Sequence, residues 1–241
     1  MDQLSPNGLS VRRYDRDRFV TALFATPERR EDLFTLYAFN IEIARIRETV
    51  SEPMLGQIRL QWWRDNLTGR SVGHPVAEAL GDLLARHHLP KPLFDRLIDA
   101  RELDMQDRPP ESAQELASYV EDSAGGLCQL AALLLGGGDQ ESQEAAQLVG
   151  KAWGLLGLMR ANKLLTDEDP KSLADQVRAH LGKARALKVC KGARPALLVA
   201  RLADFYLKAL KAAEYDLSNR EWSKINTKPL ALMLSHALGK F

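Results

Sequence analysis

Cysteine is nearly missing. Cys128 and Cys190 are the two that occur in 241 residues, far apart and outside any CxxC or Cys/His cluster, which excludes a disulfide scaffold and a cysteine zinc site and fits a reducing compartment. Histidine is sparse as well. His74, His87, His88, His180 and His236 show no HxxxH spacing, so no helical pair of metal ligands is written in the chain. No run of about 18 apolar residues occurs, which excludes an evident membrane-spanning helix. An excess of either charge is also lacking. With 33 Lys+Arg against 32 Asp+Glu, no global field draws the protein to nucleic acid or to an anionic membrane, and any such contact must be local. The opening MDQLSPNGLSVRRYDRD has no apolar core and carries Asp2, Asp15 and Asp17, unlike a secretory signal or an acid-poor transit peptide. A cytoplasmic protein is expected.

Alternating strand-like stretches are missing too, and helical periods fill their place. From Glu31 to Val50 the residues Leu36, Phe39, Ile43, Ile46 and Val50 recur at three and four, predicting one helix with one core-facing stripe. Pro53 breaks it, and Met54 to Leu67 restarts as a second helix bearing Trp62 and Trp63. Further boundaries are marked by Pro75, by Pro90 and Pro92, by a capping box of Ser112 with Glu115, and by the stop Gly136-Gly137-Gly138. Asp169-Pro170, Arg194-Pro195 and Thr227 ahead of Pro229 open the last three helices, giving about nine in all. No flexible linker or repeat divides them. The expected organisation is an N-terminal extension over 1–14 and one all-α domain over 15–241. Within YVEDSAGGL, Gly125 and Gly126 each cost a helix about 1 kcal/mol relative to alanine. Either close packing or a helix bent around a cavity explains them.

Five segments in order, YAFNIEIARIRE, LQWWRDNLTG, HPVAEALGDLLARHHLPKPLFDRLIDARELD, ELASYVEDSAGGL and GKAWGLLGLMRAN, resemble the squalene/phytoene synthase family over roughly residues 15 to 165. The resemblance implies the isoprenoid synthase fold, a single-domain helical bundle around a central cavity. In that family two aspartate-rich helices face each other across the cavity mouth and hold magnesium, a hard cation that grips the diphosphates of two prenyl substrates. At the three aspartate positions of the first helix this chain carries Ala44, Arg45 and Glu48, so local charge falls from about minus three to zero. A guanidinium about 5 Å from a divalent ion is repelled by roughly 6–7 kcal/mol at an effective dielectric of about 20. In the second helix Gly154, Gly157 and Ala161 replace Gln, Asn and Asp, while Arg160 is retained. With Gly150 they form a small-residue stripe, suited to tight helix packing or to a cavity wall stripped of polar groups. Asp167, Glu168 and Asp169 fall too late for the second motif, and the chain after Arg160 is shorter than the family pattern.

AFNIEIARIRETVSEPMLGQIRLQWWRD is similar to a branch of the family that has lost the aspartates, with Asn-x-Glu, a Ser-Glu-Pro turn and a tryptophan pair. That branch includes the mitochondrial assembly factor for respiratory complex I. The resemblance therefore implies a non-catalytic protein acting in complex I assembly, with a complex I subunit or assembly intermediate as partner, no nucleic acid and no cofactor. A second expectation is a prenyltransferase that joins two prenyl diphosphates to squalene or phytoene with Mg2+. A third is a binder of an isoprenoid or lipid with an anionic head group, held by Arg45, Arg160 and Lys163, with Tyr37 and Tyr119 near the cavity. Those three cations are more readily read as solvated or paired to Glu42 and Glu48, and a buried tyrosine with a satisfied hydroxyl explains Tyr37 and Tyr119 equally well. Trp62 and Trp63 cannot both face one way on a helix. One belongs to the core and the other is exposed or at an interface, where Arg64 adds charge for peripheral contact at the inner membrane face.

Overall fold

Proline sets the starts of most helices, because its fixed φ suits a first turn and its missing N–H is not needed there. The computed structural model describes residues 4–67, 73–106, 108, 110–161, 168–224 and 229–241. Through these the chain runs α1 (Pro6–Tyr14), α2 (Arg16–Ala22), α3 (Pro27–Ala44), α4 (Ile46–Thr49), α5 (Pro53–Asn66), α6 (Pro75–Arg86), α7 (Lys91–Ala100), α8 (Ala113–Val120), α9 (Gly126–Leu134), α10 (Gln140–Ala161), α11 (Pro170–Arg185), α12 (Arg194–Leu197), α13 (Val199–Ala212) and α14 (Pro229–Ala237). Single 3-10 turns occupy Leu103–Gln106 and Arg220–Ser223, and a π-turn occupies Glu121–Gly125. No strand occurs among the described residues. Among the described residues fourteen α segments stand where about nine helices were expected. The surplus comes from short pieces such as α4 and α12, which turns at Arg45 and Leu198 cut from their neighbours.

The expected single stripe on the helix from Glu31 to Val50 is corrected in two ways. Every residue from Asp32 to Ile41 is buried, because α1, α6 and α9 pack on different sides of α3 and leave it no wet face. The helix also ends early. Arg45, at φ −95° and ψ −1°, turns the chain, and Ile46 resumes in α4. Polar residues inside α3 are paired: Asp32 meets Arg86 at 2.9 Å and His87 at 2.9 Å, and Thr35 accepts from Asn7 at 3.2 Å. Phe34 and Phe39 of α3 and Phe94 of α7 are fully buried, each contributing about 2–3 kcal/mol by removal from water. A second core lies around α10, α11 and α13. α1, within the stretch 1–14, docks on α3 through Gly8 against Phe34 and through fully buried Val11.

α10 crosses the π-turn at close range. A Cβ on Gly150 would collide with the Ala124 carbonyl oxygen and lie 2.6 Å from Gly125 Cα, and one on Gly154 would lie 3.0 Å from Ala124 Cβ. Close packing therefore accounts for the first half of the small-residue stripe. Nothing lies within 4 Å of a Cβ on Gly157, where the stripe reaches open space. The capping box is half formed. Ser112 Oγ accepts from the Glu115 N–H at 3.1 Å, but the Glu115 carboxylate turns to Arg108 at 3.1 Å rather than back to Ser112. Asp169 caps α11 through the N–H groups of Lys171 and Ser172, whereas Asp167 and Thr227 lie outside the described residues.

Candidate functional site

Asp15 ends α1 and caps α2, accepting from the Arg18 N–H at 3.1 Å and from its guanidinium at 2.7 Å. That cap places Asp17 and Arg18 on the floor of a cleft of about 590 Å³, whose walls come from Trp153, Gly157, Arg160 and Ala161 of α10 and Tyr206 of α13. Asp17 accepts from Arg160 at 3.2 Å and from the Tyr206 hydroxyl at 2.9 Å. The Arg160 guanidinium also lies over the Tyr206 ring, 4.4 Å from its centroid. Arg18 lies deeper, between the rings of Tyr37 at 5.8 Å and Trp153 at 6.0 Å. Burial pulls its pKa down, but the Asp15 carboxylate outweighs that by charge and hydrogen bond and holds it above its usual value. Burial pushes the Tyr37 and Tyr206 hydroxyls up, so both stay protonated, and Tyr206 donates to Asp17.

Beneath Arg18, burial pushes the Cys128 thiol up to about 12. In the native protein Cys190, which is half-buried, should react with a thiol reagent well before Cys128; after denaturation the two should react alike. The unfolded thiol ionises near 9.0, so the folded state holds its proton longer. Stability should then decline as pH rises from there toward 12, with a smaller slope in Cys128→Ala, as thermal melts at stepped pH would measure.

The expected site residues separate into distinct neighbourhoods. Ala44 is the last residue of α3, and Arg45 beside it stacks on the Tyr14 ring at 4.1 Å, with Glu48 at 3.9 Å. Tyr14 also lines the cleft, so it links the Arg45 side to the Arg160 side. Tyr37 lies in the core under Arg18 rather than on a cavity wall. Tyr119 lies elsewhere: its hydroxyl accepts from Arg101 at 2.8 Å and donates to Asp104 at 3.0 Å, while Arg101 reaches Asn40 at 3.3 Å. This network ties the end of α7 to α8 and α3. Lys163 lies outside the described residues. Trp63 is in the core, edge-on to Phe39 at 5.2 Å, and Trp62 is the partly exposed member of the pair. Arg64 is neutralised by Asp99 and Glu102. Sequence reasoning missed Asp15, Asp17, Arg18, Trp153 and Tyr206. The signal was the run Tyr14-Asp15-Arg16-Asp17-Arg18, where paired opposite charges flank a helix start.

The squalene/phytoene synthase family model matches residues 11–168, a span that contains both motif helices and the Asp15–Arg18 corner. The chain belongs to the squalene/phytoene synthase family. It is similar to the protein named NADH dehydrogenase (ubiquinone) complex I, assembly factor 6, of Bos taurus, at 29% identity over 93% of this chain and 79% of that protein. The protein of the same name in Rattus norvegicus is 28% identical over the same shares, and that in Homo sapiens is 32% identical over 63% of this chain and 46% of its own length. Among solved structures, a dehydrosqualene synthase in complex with ligand superposes with a TM-score of 0.80, at 14% identity, covering 97% of this chain and 94% of that one. Squalene synthase HpnC from Alicyclobacillus acidocaldarius gives 0.73 at 19% identity, covering 87% and 93%. At such identities the superpositions establish the fold, which is the all-α terpenoid synthase bundle.

Family membership implies magnesium at the mouth, and the donor set among the described residues does not fit it. Mg2+ requires several oxygen ligands in near-octahedral array. Of the carboxylates near the cleft, Asp15 is taken by Arg18, Asp17 by Arg160 and Tyr206, and Glu48 faces Arg45. No group of three or more His, Cys, Asp or Glu that could hold a metal ion occurs among the described residues. A cation entering the cleft would displace guanidinium groups from their carboxylates and then sit beside them. The lining residues carry four arginines, Arg13, Arg16, Arg18 and Arg160, against Asp15 and Asp17, so the cleft favours an anion over a metal.

Proposed function

We propose that the protein is a non-catalytic member of the squalene/phytoene synthase family that acts in assembly of respiratory complex I. The observation that carries the loss of chemistry is the capture of Asp17 by Arg160 and Tyr206, with Arg45 stacked on Tyr14 above. Ionising an allylic diphosphate needs a metal to neutralise the leaving group, and at the three carboxylate positions of the first motif this chain carries Ala44, the Arg45 guanidinium and Glu48, which faces it. The assembly role rests on the likeness to relatives named as assembly factors over most of their length. The partner is then a complex I subunit or an assembly intermediate. No described helix is long and apolar enough to cross a membrane, so the protein would meet that complex from the membrane surface, at the cytoplasmic face. A second reading, an isoprenoid or lipid with an anionic head group seated in the cleft, is favoured by its two surplus arginines.

Deleting the gene in its host should lower NADH-dependent quinone reduction in membranes and the amount of assembled complex I, with squalene, hopanoid and carotenoid levels unchanged. The purified protein should yield no squalene- or phytoene-like product from farnesyl or geranylgeranyl diphosphate with Mg2+. Normal complex I together with loss of a terpenoid product would overturn the proposal in favour of the prenyltransferase.

A further inference from the structure

α14 is built with two opposite apolar faces, and one of them has no cover. Leu232 is fully buried and Ser235 is held against α13 by Arg201 at 3.1 Å. On the other side Leu230, Met233, Leu234 and Leu238 are 75%, 56%, 65% and 68% exposed. Their spacing of three and four places them along one side of the helix. Leu234 and Leu238 also form the rim of a groove of about 730 Å³ between α13, α14 and the α11–α12 connection. The groove is basic: Arg185, Lys188, Arg194, Arg201 and Lys240 line it, with no acidic side chain among its lining residues. Asp204, beside it, binds both Arg185 at 2.8 Å and Arg201 at 2.9 Å, and Arg185 also donates to the Phe241 oxygen at 2.7 Å, whereas no ion pair engages Lys188, Arg194 or Lys240 among the described residues.

An apolar stripe bordered by cations is the pattern of a helix lying in an anionic membrane interface, with leucines among the acyl chains and basic groups at the phosphates. A second copy of the chain is a poor occupant, because a two-fold interface would set the same cations against one another. We propose that α14 and this basic groove seat the protein on a membrane surface that carries anionic lipid. The docking surface is thus displaced from the helix first expected to provide it. α5 does expose Met54, Leu55, Ile58 and Trp62, but Trp63 is buried there and Arg64 is already neutralised by Asp99 and Glu102.

Vesicle flotation of the purified full chain tests the proposal, independently of any role in complex I. Binding is expected to phosphatidylcholine vesicles that contain phosphatidylglycerol and not to phosphatidylcholine alone, and should fall as salt is raised. Leu234→Asp combined with Leu238→Asp should reduce the bound fraction about tenfold or more. Lys188→Glu combined with Lys240→Glu should weaken binding by roughly fivefold or more per site, while Ile58→Asp should leave it unchanged. Inorganic phosphate at matched ionic strength should not release the protein; release would mean that the groove takes a free anion instead of a surface. The substituted leucines are exposed, so the variants should keep the native melting temperature. No binding to the anionic vesicles, or binding insensitive to the α14 variants, would overturn the proposal. Failed complementation by the Leu234 and Leu238 variant with vesicle binding intact would assign the face to a protein partner. Because flotation needs no complex I, a failure here leaves the assembly proposal standing, and a normal deletion phenotype leaves this one standing.

Discussion

Trp63→Ala is expected to destabilise the protein by about 3–5 kcal/mol, the largest effect of any single truncation in α5. The indole is 4% exposed, edge-on to Phe39 at 5.2 Å and to His74 at 5.2 Å. Removing it opens a cavity beside α3, which is enclosed on several sides and has little freedom to collapse into the space. Trp62→Ala, one residue earlier, should cost about 0.5–1.5 kcal/mol, because Trp62 is 39% exposed and contributes mainly its edge contacts with Trp63 at 5.0 Å and His74 at 5.4 Å. Urea denaturation of the two variants side by side measures the difference. Equal losses would mean that the pair acts as one packed unit rather than as a buried and an exposed ring.

Gly150→Ala should be nearly as damaging, at about 3 kcal/mol, the upper end of the usual overpacking cost. The added methyl meets the Ala124 carbonyl and the Gly125 Cα. Both are backbone atoms, so neither can rotate away, and α10 would have to separate from the π-turn. Gly157→Ala, two turns along the same helix, should have the opposite sign. Nothing lies within 4 Å of its new Cβ, and replacing glycine in an exposed helical position gains about 0.5–1 kcal/mol. Thermal melts would read both. A stabilised Gly150→Ala would show that the close approach of α10 to the π-turn is not tightly held.

The helical class and most helix starts were legible because proline, Ser112, Asp169 and the three glycines after Leu135 act within a turn of where they stand. Arg45 was not legible as a break. Its local sequence, Ile43-Ala44-Arg45-Ile46, is a good helix, and only packing around α3 decides that the chain turns there. The same limit applies to the amphipathic reading of α3: periodicity picks out the most apolar stripe, whereas burial from Asp32 to Ile41 depends on how many neighbours arrive later in the chain. Ala44 and Arg45, and at the cleft Gly157, Arg160 and Ala161, could be singled out because a family pattern marks their positions. Asp17 and Tyr206 could not, since they are 189 residues apart and meet through a single hydrogen bond. The exposed stripe of α14 was hidden for a related reason. A sequence reports that Leu230, Leu232, Met233 and Leu234 are apolar, but not which of them the fold covers.

The π-turn at Glu121–Gly125 bears on how this chain can change by insertion and deletion. A π-turn holds roughly one residue more than an α-turn, so side chains on α8 point about 100° away from where an uninterrupted helix leading into α9 would aim them. Tyr119 reaches Arg101 and Asp104, and Leu116 and Val120 reach the core, only at that rotational phase. Losing one residue between Val120 and Gly126 would restore a regular helix and turn those contacts toward the wrong neighbours. Substitutions within Glu121–Gly125 alter one contact at a time, but a change in its length rephases everything upstream on α8. The length of this five-residue segment is therefore more tightly constrained than its spelling.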